Sequence, residues 1–225
     1  LSRWLNKTGP TRGWRIGAGM AFHQRAYKYK SGTTGLFTDD NATGILAQVE
    51  RSDIKDHLYS RTGAQYGYLF EHGDKSFASD YDYNRHVFYY RRYLHPGKEH
   101  HNLNVQLRLG LSGGRLFGSD AYAIGGGRDL RAYGSEVDGD AYFLANIEYL
   151  QPIYGRKHAR GVVFLDMGNA YTSNSDIDLA DLKYAAGLGF RYKFKGYVNF
   201  DMRIDYAYNF DTGETKWYLG TKNTF

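Results

Sequence analysis

The chain has 225 residues, enough for one sizeable domain, with 28 glycines, 22 tyrosines and aromatics at 17%. No run approaches the roughly 18–20 consecutive apolar residues of a membrane helix, so a helical membrane protein is excluded; the absence of cysteine excludes a disulfide framework and thiolate metal sites. The net charge of +5 comes from Lys and Arg scattered among acidic residues, a distribution that argues against nucleic-acid binding.

Residues 1–12 show no clear periodicity and read as a periplasmic lead-in or the end of a missing strand. The start at Leu1, with neither methionine nor an apolar leader, suggests a processed or cut chain. Trp14, Ile16, Ala18, Met20 and Phe22 then alternate with Arg15, Gly17, Gly19 and Ala21, a period of two that predicts a strand. Less regular strands are expected at Thr43–Glu50, Tyr59–Phe70 and Tyr81–Tyr93. The clearest strand is Asn102–Ser112, where Leu103, Val105, Leu107, Leu109 and Leu111 oppose Asn104, Gln106, Arg108 and Gly110. Further strands are expected at Ala141–Ile153, Gly161–Tyr171, Leu182–Phe194, Val198–Tyr208 and Lys216–Phe225, about ten in all. Longer polar segments (Lys30–Asn41, Gly114–Asp140, Ser173–Asp181) fall at one end of these strands and short turns such as Lys195-Gly196 at the other.

The non-apolar faces decide between architectures. They are rich in Gly, Arg, Lys and Asp, with Arg203 and Asp205 opposite Met202, Ile204 and Tyr206. A soluble sandwich or lipocalin-like barrel turns its apolar face inward and has no place for such charges in a dry core. An all-β, antiparallel transmembrane barrel spanning residues 13–225 accommodates them, with greasy faces in lipid and charges toward the lumen. The tyrosines of Tyr81–Tyr93 suit its interfacial girdle.

Within the segment 114–140, Ile124-Gly125-Gly126-Gly127-Arg128-Asp129-Leu130-Arg131-Ala132-Tyr133-Gly134 resembles the inward-folded loop motif of the BamA/TamA family of bacterial outer-membrane barrels, also called bacterial surface antigens, which includes two-partner-secretion transporters and patatin-linked barrels. Asn146–Pro152 and Val163–Ala170 match, in order, the two strands that follow that loop in the family. Ala132 departs from the family's glycine, and its Cβ would be strained at a positive φ. Parity places Glu148 and Asp166 on inward faces of neighbouring strands, so the planar fork of Arg131 is expected to be anchored by these two acids.

The resemblance implies a non-enzymatic barrel of the bacterial outer membrane that assembles or secretes polypeptides, without cofactor or metal. Its partners would be the lipid bilayer, client polypeptides, lipopolysaccharide at the outer loops and a second copy of the chain. The family barrel has sixteen strands, so ten imply a partial chain, a small barrel or one completed by another copy. The terminal face Trp217, Leu219 and Phe225 resembles a C-terminal assembly signal, although Asn223 interrupts its apolar run. Closure would pair the strand near Trp14 with the last strand, a short seam suited to lateral opening. Alternatives are an anchor for a removed passenger such as a patatin lipase, a small passive pore, or an omptin-like membrane protease, whose acid–His pair at one rim is not evident in the sequence.

Three other patterns carry weaker chemistry. Gly110-Leu-Ser112-Gly-Gly114 has the spacing of a nucleophile elbow but lacks the strand-turn-helix context. His95, Glu99, His100 and His101 surround a turn without the paired spacing of a metal site. Gly125–Gly127 lacks the Lys-Ser/Thr of a phosphate cradle and is better explained as a loop hinge.

Overall fold

A computed structural model describes residues 1–9, 11–25, 40–57, 59–98, 100–114, 116, 121–134, 137–194 and 200–221. Residues 26–39, Glu99, the Lys195-Gly196 turn and 222–225, with Asn223 and Phe225 of the terminal face, lie outside them.

The strands are β1 (Ser2–Gly9), β2 (Arg12–Arg25), β3 (Asp40–Asp53), β4 (Lys55–Asp56), β5 (Arg61–Gly73), β6 (Tyr83–Leu94), β7 (Asn102–Gly113), β8 (Tyr122–Ala123), β9 (Asp138–Gly139), β10 (Ala141–Ile153), β11 (Arg156–Tyr171), β12 (Lys183–Phe194), β13 (Phe200–Asn209) and β14 (Thr215–Thr221). One antiparallel sheet runs β1-β2-β3-β5-β6-β7-β10-β11-β12-β13-β14, with β4 on β5 and a separate β8–β9 hairpin. Each long strand pairs with its neighbour in sequence, the up-and-down order of a barrel wall. Five strands, β10–β14, follow the 114–140 segment.

The main path contains one strand more than the alternation indicated. Ser2–Gly9 pairs with β2 through a ladder broken by irregularities between Trp4 and Asn6 and between Lys7 and Gly9, which erase a readable period of two. Both edges of the Trp14 strand are therefore occupied, by β1 and β3, and the expectation that it pairs with the last strand is corrected. Among the described residues, β1 and β14 end the path and are not paired with each other.

Burial is inverted relative to a water-soluble protein. Along β7, Asn102, Asn104, Gln106 and Ser112 are buried, while Leu107 is exposed and Leu103, Val105, Leu109 and Leu111 are half-buried. Along β13, Arg203, Asp205, Ala207 and Asn209 are buried, while Tyr206 and Tyr208 are exposed. On β14, Trp217 and Leu219 are 70% and 81% exposed. Such a surface is stable where its surroundings are apolar, which is the condition of lipid around a barrel.

The buried apolar cluster lies on the concave side. Leu116, Tyr122, Ile124, Leu130, Tyr133 and Val137 from the 114–140 segment pack against Tyr142, Leu144, Phe164, Ala185 and Ala207 of the wall. Small residues make the room: a Cβ at Gly187 would lie 2.5 Å from Phe164 Cζ, and one at Gly189 would lie 2.3 Å from Asp205 Oδ1. Farther along the wall, Glu50 accepts hydrogen bonds from Tyr89 Oη at 2.5 Å and Gln65 Nε2 at 2.9 Å. Inward carboxylates outside the reach of the loop are thus satisfied by neighbouring strands.

Leu107 sits mid-strand on the outer face, so Leu107→Arg is expected to destabilise the membrane-inserted form by about 2–4 kcal/mol. Leu107→Ile, which keeps the face apolar, should leave stability nearly unchanged. Urea titration of protein folded into lipid vesicles measures both.

Candidate functional site

The 114–140 segment is shaped by its own short-range bonds before it meets the wall. Ile124 N donates to Val137 O at 3.0 Å, Leu130 N to Ile124 O at 2.8 Å, and Gly126 N to Leu130 O at 3.2 Å. Gly125 is required by a close approach, because a Cβ there would lie 1.6 Å from Gly134 O. Gly126, at φ +115°, holds a conformation that L side chains rarely adopt. These constraints turn the chain so that Leu130 and Arg131 point into the wall, both at 0% exposure.

Arg131 reaches three strands. Its Nε and NH2 donate to Asp166 Oδ2 and Oδ1 on β11, each at 2.6 Å, in a two-pronged pairing. NH1 donates to Glu148 Oε1 on β10 at 2.8 Å and to Asp205 Oδ2 on β13 at 3.2 Å. Its backbone N–H also donates to Asp166, at 3.2 Å, and the guanidinium carbon lies 3.4 Å from the centre of the Phe164 ring. Burial by itself would pull the guanidinium pKa down, but the hydrogen bond and charge of Asp166, with Glu148 and Asp205, hold it above its ordinary value. Arg131 therefore stays charged.

Two more arginines complete the cluster. Arg203 Nε donates to Asp205 Oδ2 at 2.6 Å, and Arg191 is hydrogen-bonded to Asp205 and lies 3.4 Å from Glu148 Oε1. Three guanidinium groups thus face three carboxylates, which brings the formal charges into balance where water is excluded. Arg203 also donates to the carbonyl of Gly127, so the wall grips the loop at a second point. Asn146 Nδ2 donates to Asp129 O at 2.7 Å and to Asp166 Oδ1 at 2.8 Å, while Arg108 is hydrogen-bonded to Asp129.

The remaining motif residues line the same contact. Ala132 adopts φ +67°, the strained region expected if it stood in a glycine's place, and its N–H is held by Tyr218 Oη of β14 at 2.9 Å. Tyr133 Oη donates to Tyr184 O of β12 at 3.1 Å, and a Cβ at Gly127 would collide with the Tyr218 ring. Glu148, Asp166, Leu130, Arg131, Ala132 and Tyr133 are brought together, whereas Trp217 and Leu219 face outward on β14.

Asp205, Arg191, Arg203, Asn146 and Tyr218 were not among the expected anchors. Parity already turned Arg203 and Asp205 inward; what it does not tell is which strands the curvature brings around one loop. His23 Nε2 and Glu71 Oε1 lie 2.7 Å apart and join residues 48 apart in sequence. The same Glu71 oxygen accepts Tyr83 Oη at 2.7 Å, and Arg85 lies 3.9 Å from the other oxygen.

The other sequence patterns take structural partners. Ser112 is the penultimate residue of β7 and its Oγ donates to Gly114 O at 3.0 Å. His95 Nδ1 lies 3.1 Å from His101 O, His101 Nδ1 lies 2.7 Å from Tyr149 Oη, and His100 packs edge-on against Tyr59. Burial, then Lys98 and the neighbouring histidines, depresses the pKa of His101, which favours its neutral form at pH 7. Among the described residues, no group of three or more His, Cys, Asp or Glu side chains is placed to hold a metal ion.

An antiparallel wall greasy outside and charged inside, with a long loop folded against its concave face, defines an outer-membrane β-barrel of the type that carries an internal loop. The Omp85 superfamily domain matches residues 10–225, and the chain belongs to that superfamily, whose members are outer-membrane barrels. In structure it is similar to BamA from Haemophilus ducreyi lacking POTRA domains 1–3, with a TM-score of 0.65 and 13% identity over 96% of this chain and 50% of that one. The chain thus spans about half the length of that crystallised chain, which itself lacks three POTRA domains. No curated protein sequence matches it.

Arg131→Ala would leave three buried carboxylates facing two arginines and is expected to cost about 3–5 kcal/mol. Arg131→Lys, which keeps charge but loses the fork, should fall between the two. Chymotryptic cleavage of the loop and the temperature of heat-induced mobility shift on gels follow both variants. At Ala132, Ala132→Gly relieves about 1–2 kcal/mol of strain against about 0.5–1 kcal/mol of chain entropy and should leave the transition unchanged or raise it slightly. Ala132→Val, branched at a positive φ, should lower stability by about 1–3 kcal/mol.

Proposed function

We propose that this chain is the barrel part of a non-enzymatic machine that inserts polypeptides into the outer membrane or passes them across it, with the 114–140 loop as its internal brace and plug. The observation that carries this reading is the buried Arg131 cluster, which ties the loop to β10, β11 and β13. A passive pore needs an open lumen lined by solvated charge, whereas here the charges around Arg131 are paired to one another and covered by Leu130, Tyr133 and Ile124. Membership of the Omp85 superfamily supports the same reading.

The bilayer meets the outward apolar face, and client polypeptides approach from the end carrying the short connections, which corresponds to the periplasmic side of outer-membrane barrels. Residues 1–12 form the leading edge of the barrel domain 13–225 in this reading. Trp217 and Leu219 present the outward face of an assembly signal. Lipopolysaccharide at the loop-bearing rim and a second copy at the edges β1 and β14 are further partners.

Planar-bilayer conductance together with client insertion tests the proposal. The unaltered protein should conduct poorly and speed folding of a urea-unfolded barrel client into vesicles above the rate in empty vesicles. Arg131→Glu, which reverses the charge at the anchor, should raise conductance several-fold. High conductance before any substitution, or client folding no faster than in protein-free vesicles, overturns the reading.

A further inference from the structure

A groove of about 420 Å³ crosses the outward face of the wall, on the opposite side from the Arg131 cluster, and its lining is apolar, with Val49, Tyr68, Phe88, Leu107, Leu109 and Phe143 among its residues. Strand pairing beneath it is complete, because β2, β3, β5, β6, β7 and β10 each have a partner on both sides. The floor therefore offers no free backbone N–H or C=O to an added strand, and an extended polypeptide would leave its own amide groups unsatisfied there. A hydrocarbon chain has none to satisfy.

One margin of the groove is polar. The ladders set Trp14 beside Arg51, Arg51 beside Tyr66 and Tyr66 beside Tyr90, so β2, β3, β5 and β6 contribute one outward row. Trp14, Tyr66 and Tyr90 also line the groove. The rings of Trp14 and Tyr66 meet edge-on, with centroids 6.2 Å apart across the strand that carries Arg51, and the Arg51 guanidinium carbon lies 5.7 Å from the centre of the Trp14 ring. The charge thus sits at the groove itself. Among the described residues no carboxylate is within ion-pair distance of Arg51, and Asp53, two positions along the same face, is taken by Arg12 at 2.7 Å. The hydroxyls of Tyr66 and Tyr90 and the indole N–H of Trp14 carry no hydrogen bond among the described residues either.

Depth decides what meets this row. Arg51 stands two residues from the end of β3 and Trp14 two residues from the start of β2, at the end with the short connections. The next row toward that end contains Arg12, Asp53 and Arg92, whereas the next row toward the other rim runs from Ile16 through Val49, Tyr68 and Phe88 to Leu109 without a charge. The row therefore marks the level where charge gives way to hydrocarbon on the periplasmic side.

We propose that this groove is a site for one anionic phospholipid of the periplasmic leaflet, with the phosphodiester on Arg51, the Trp14, Tyr66 and Tyr90 donors around the headgroup and an acyl chain laid over Val49, Phe88 and Leu109. A net negative headgroup is selected because the wall leaves the guanidinium unneutralised, while a zwitterionic headgroup carries its own cation beside the phosphate. The assignment depends on the orientation of the barrel and not on polypeptide transport.

Native mass spectrometry of the unaltered protein, released from micelles holding equal amounts of phosphatidylglycerol and phosphatidylcholine with identical acyl chains, reads the lipid that stays bound. Phosphatidylglycerol should be retained about 5-fold over phosphatidylcholine. Arg51→Gln should bring the two lipids to equal retention, and Arg51→Lys should keep part of the preference. Val49→Trp, which fills the groove and leaves Arg51 in place, should lower retention of both. Lys98→Gln removes an exposed cation from the turn after β6 and should leave the preference intact. In vesicles, where Trp14 is the sole reporter in a Trp4→Phe, Trp217→Phe background, phosphatidylglycerol brominated on its acyl chains should quench fluorescence at a lower mole fraction than brominated phosphatidylcholine. Equal retention of the two lipids by the unaltered protein, a preference that survives Arg51→Gln or falls as far with Lys98→Gln, or retention undiminished by Val49→Trp overturns the proposal. Stronger retention of lipid A than of phosphatidylglycerol also overturns it, by placing the groove in the outer leaflet.

Discussion

Neutralising one arginine inside a membrane protein organises the rest of this molecule. Arg131 stands on a loop rather than on the wall, so its charge is tolerated at 0% exposure only if several strands converge on it at once. Asp166, Glu148 and Asp205 supply that convergence from β11, β10 and β13. Those carboxylates in turn would be intolerable without Arg131, Arg191 and Arg203. The cluster is therefore a mutual constraint, in which curvature of the sheet, inward parity of three strands and position of the loop must agree.

Packing supports the same agreement. Gly187 and Gly189 leave space for Phe164 and Asp205, so the absence of side chains at those strand positions lets the ring and the acid occupy the lumen. Phe164 then lies under the guanidinium plane, and Leu130, Ile124 and Tyr133 close over the remaining apolar wall. A strand rich in glycine would ordinarily be weak. Here the loop fills the volume the glycines leave, and apolar burial and ion pairing reinforce each other.

Much of this was readable in the residues. The unbroken alternation of Asn102–Ser112 dictates one greasy and one polar face, and charge at Arg203 and Asp205 indicates that the polar face is the enclosed one. Glu148 and Asp166 stand at inward parity on β10 and β11, and Arg131 donates to both. Parity has two values and curvature has many, which is why Asp205, Arg191 and Tyr218 did not emerge as partners. Ser2–Gly9 was missed because irregular pairing breaks its period, and the His23–Glu71 contact because nothing local couples residues on separate hairpins.

The sequence separations within the arginine cluster also impose an order on assembly. Glu148 is 17 residues from Arg131, Asp166 is 35 away and Asp205 is 74 away. Each later partner closes a longer chain segment at greater entropic cost, and the full set of contacts is unattainable until the penultimate strand has docked. A chain halted after β11 would hold its loop by two acids and lack the remaining arginines, leaving the interior electrically incomplete. Completion of the wall is thereby registered at its centre, as a late locking step.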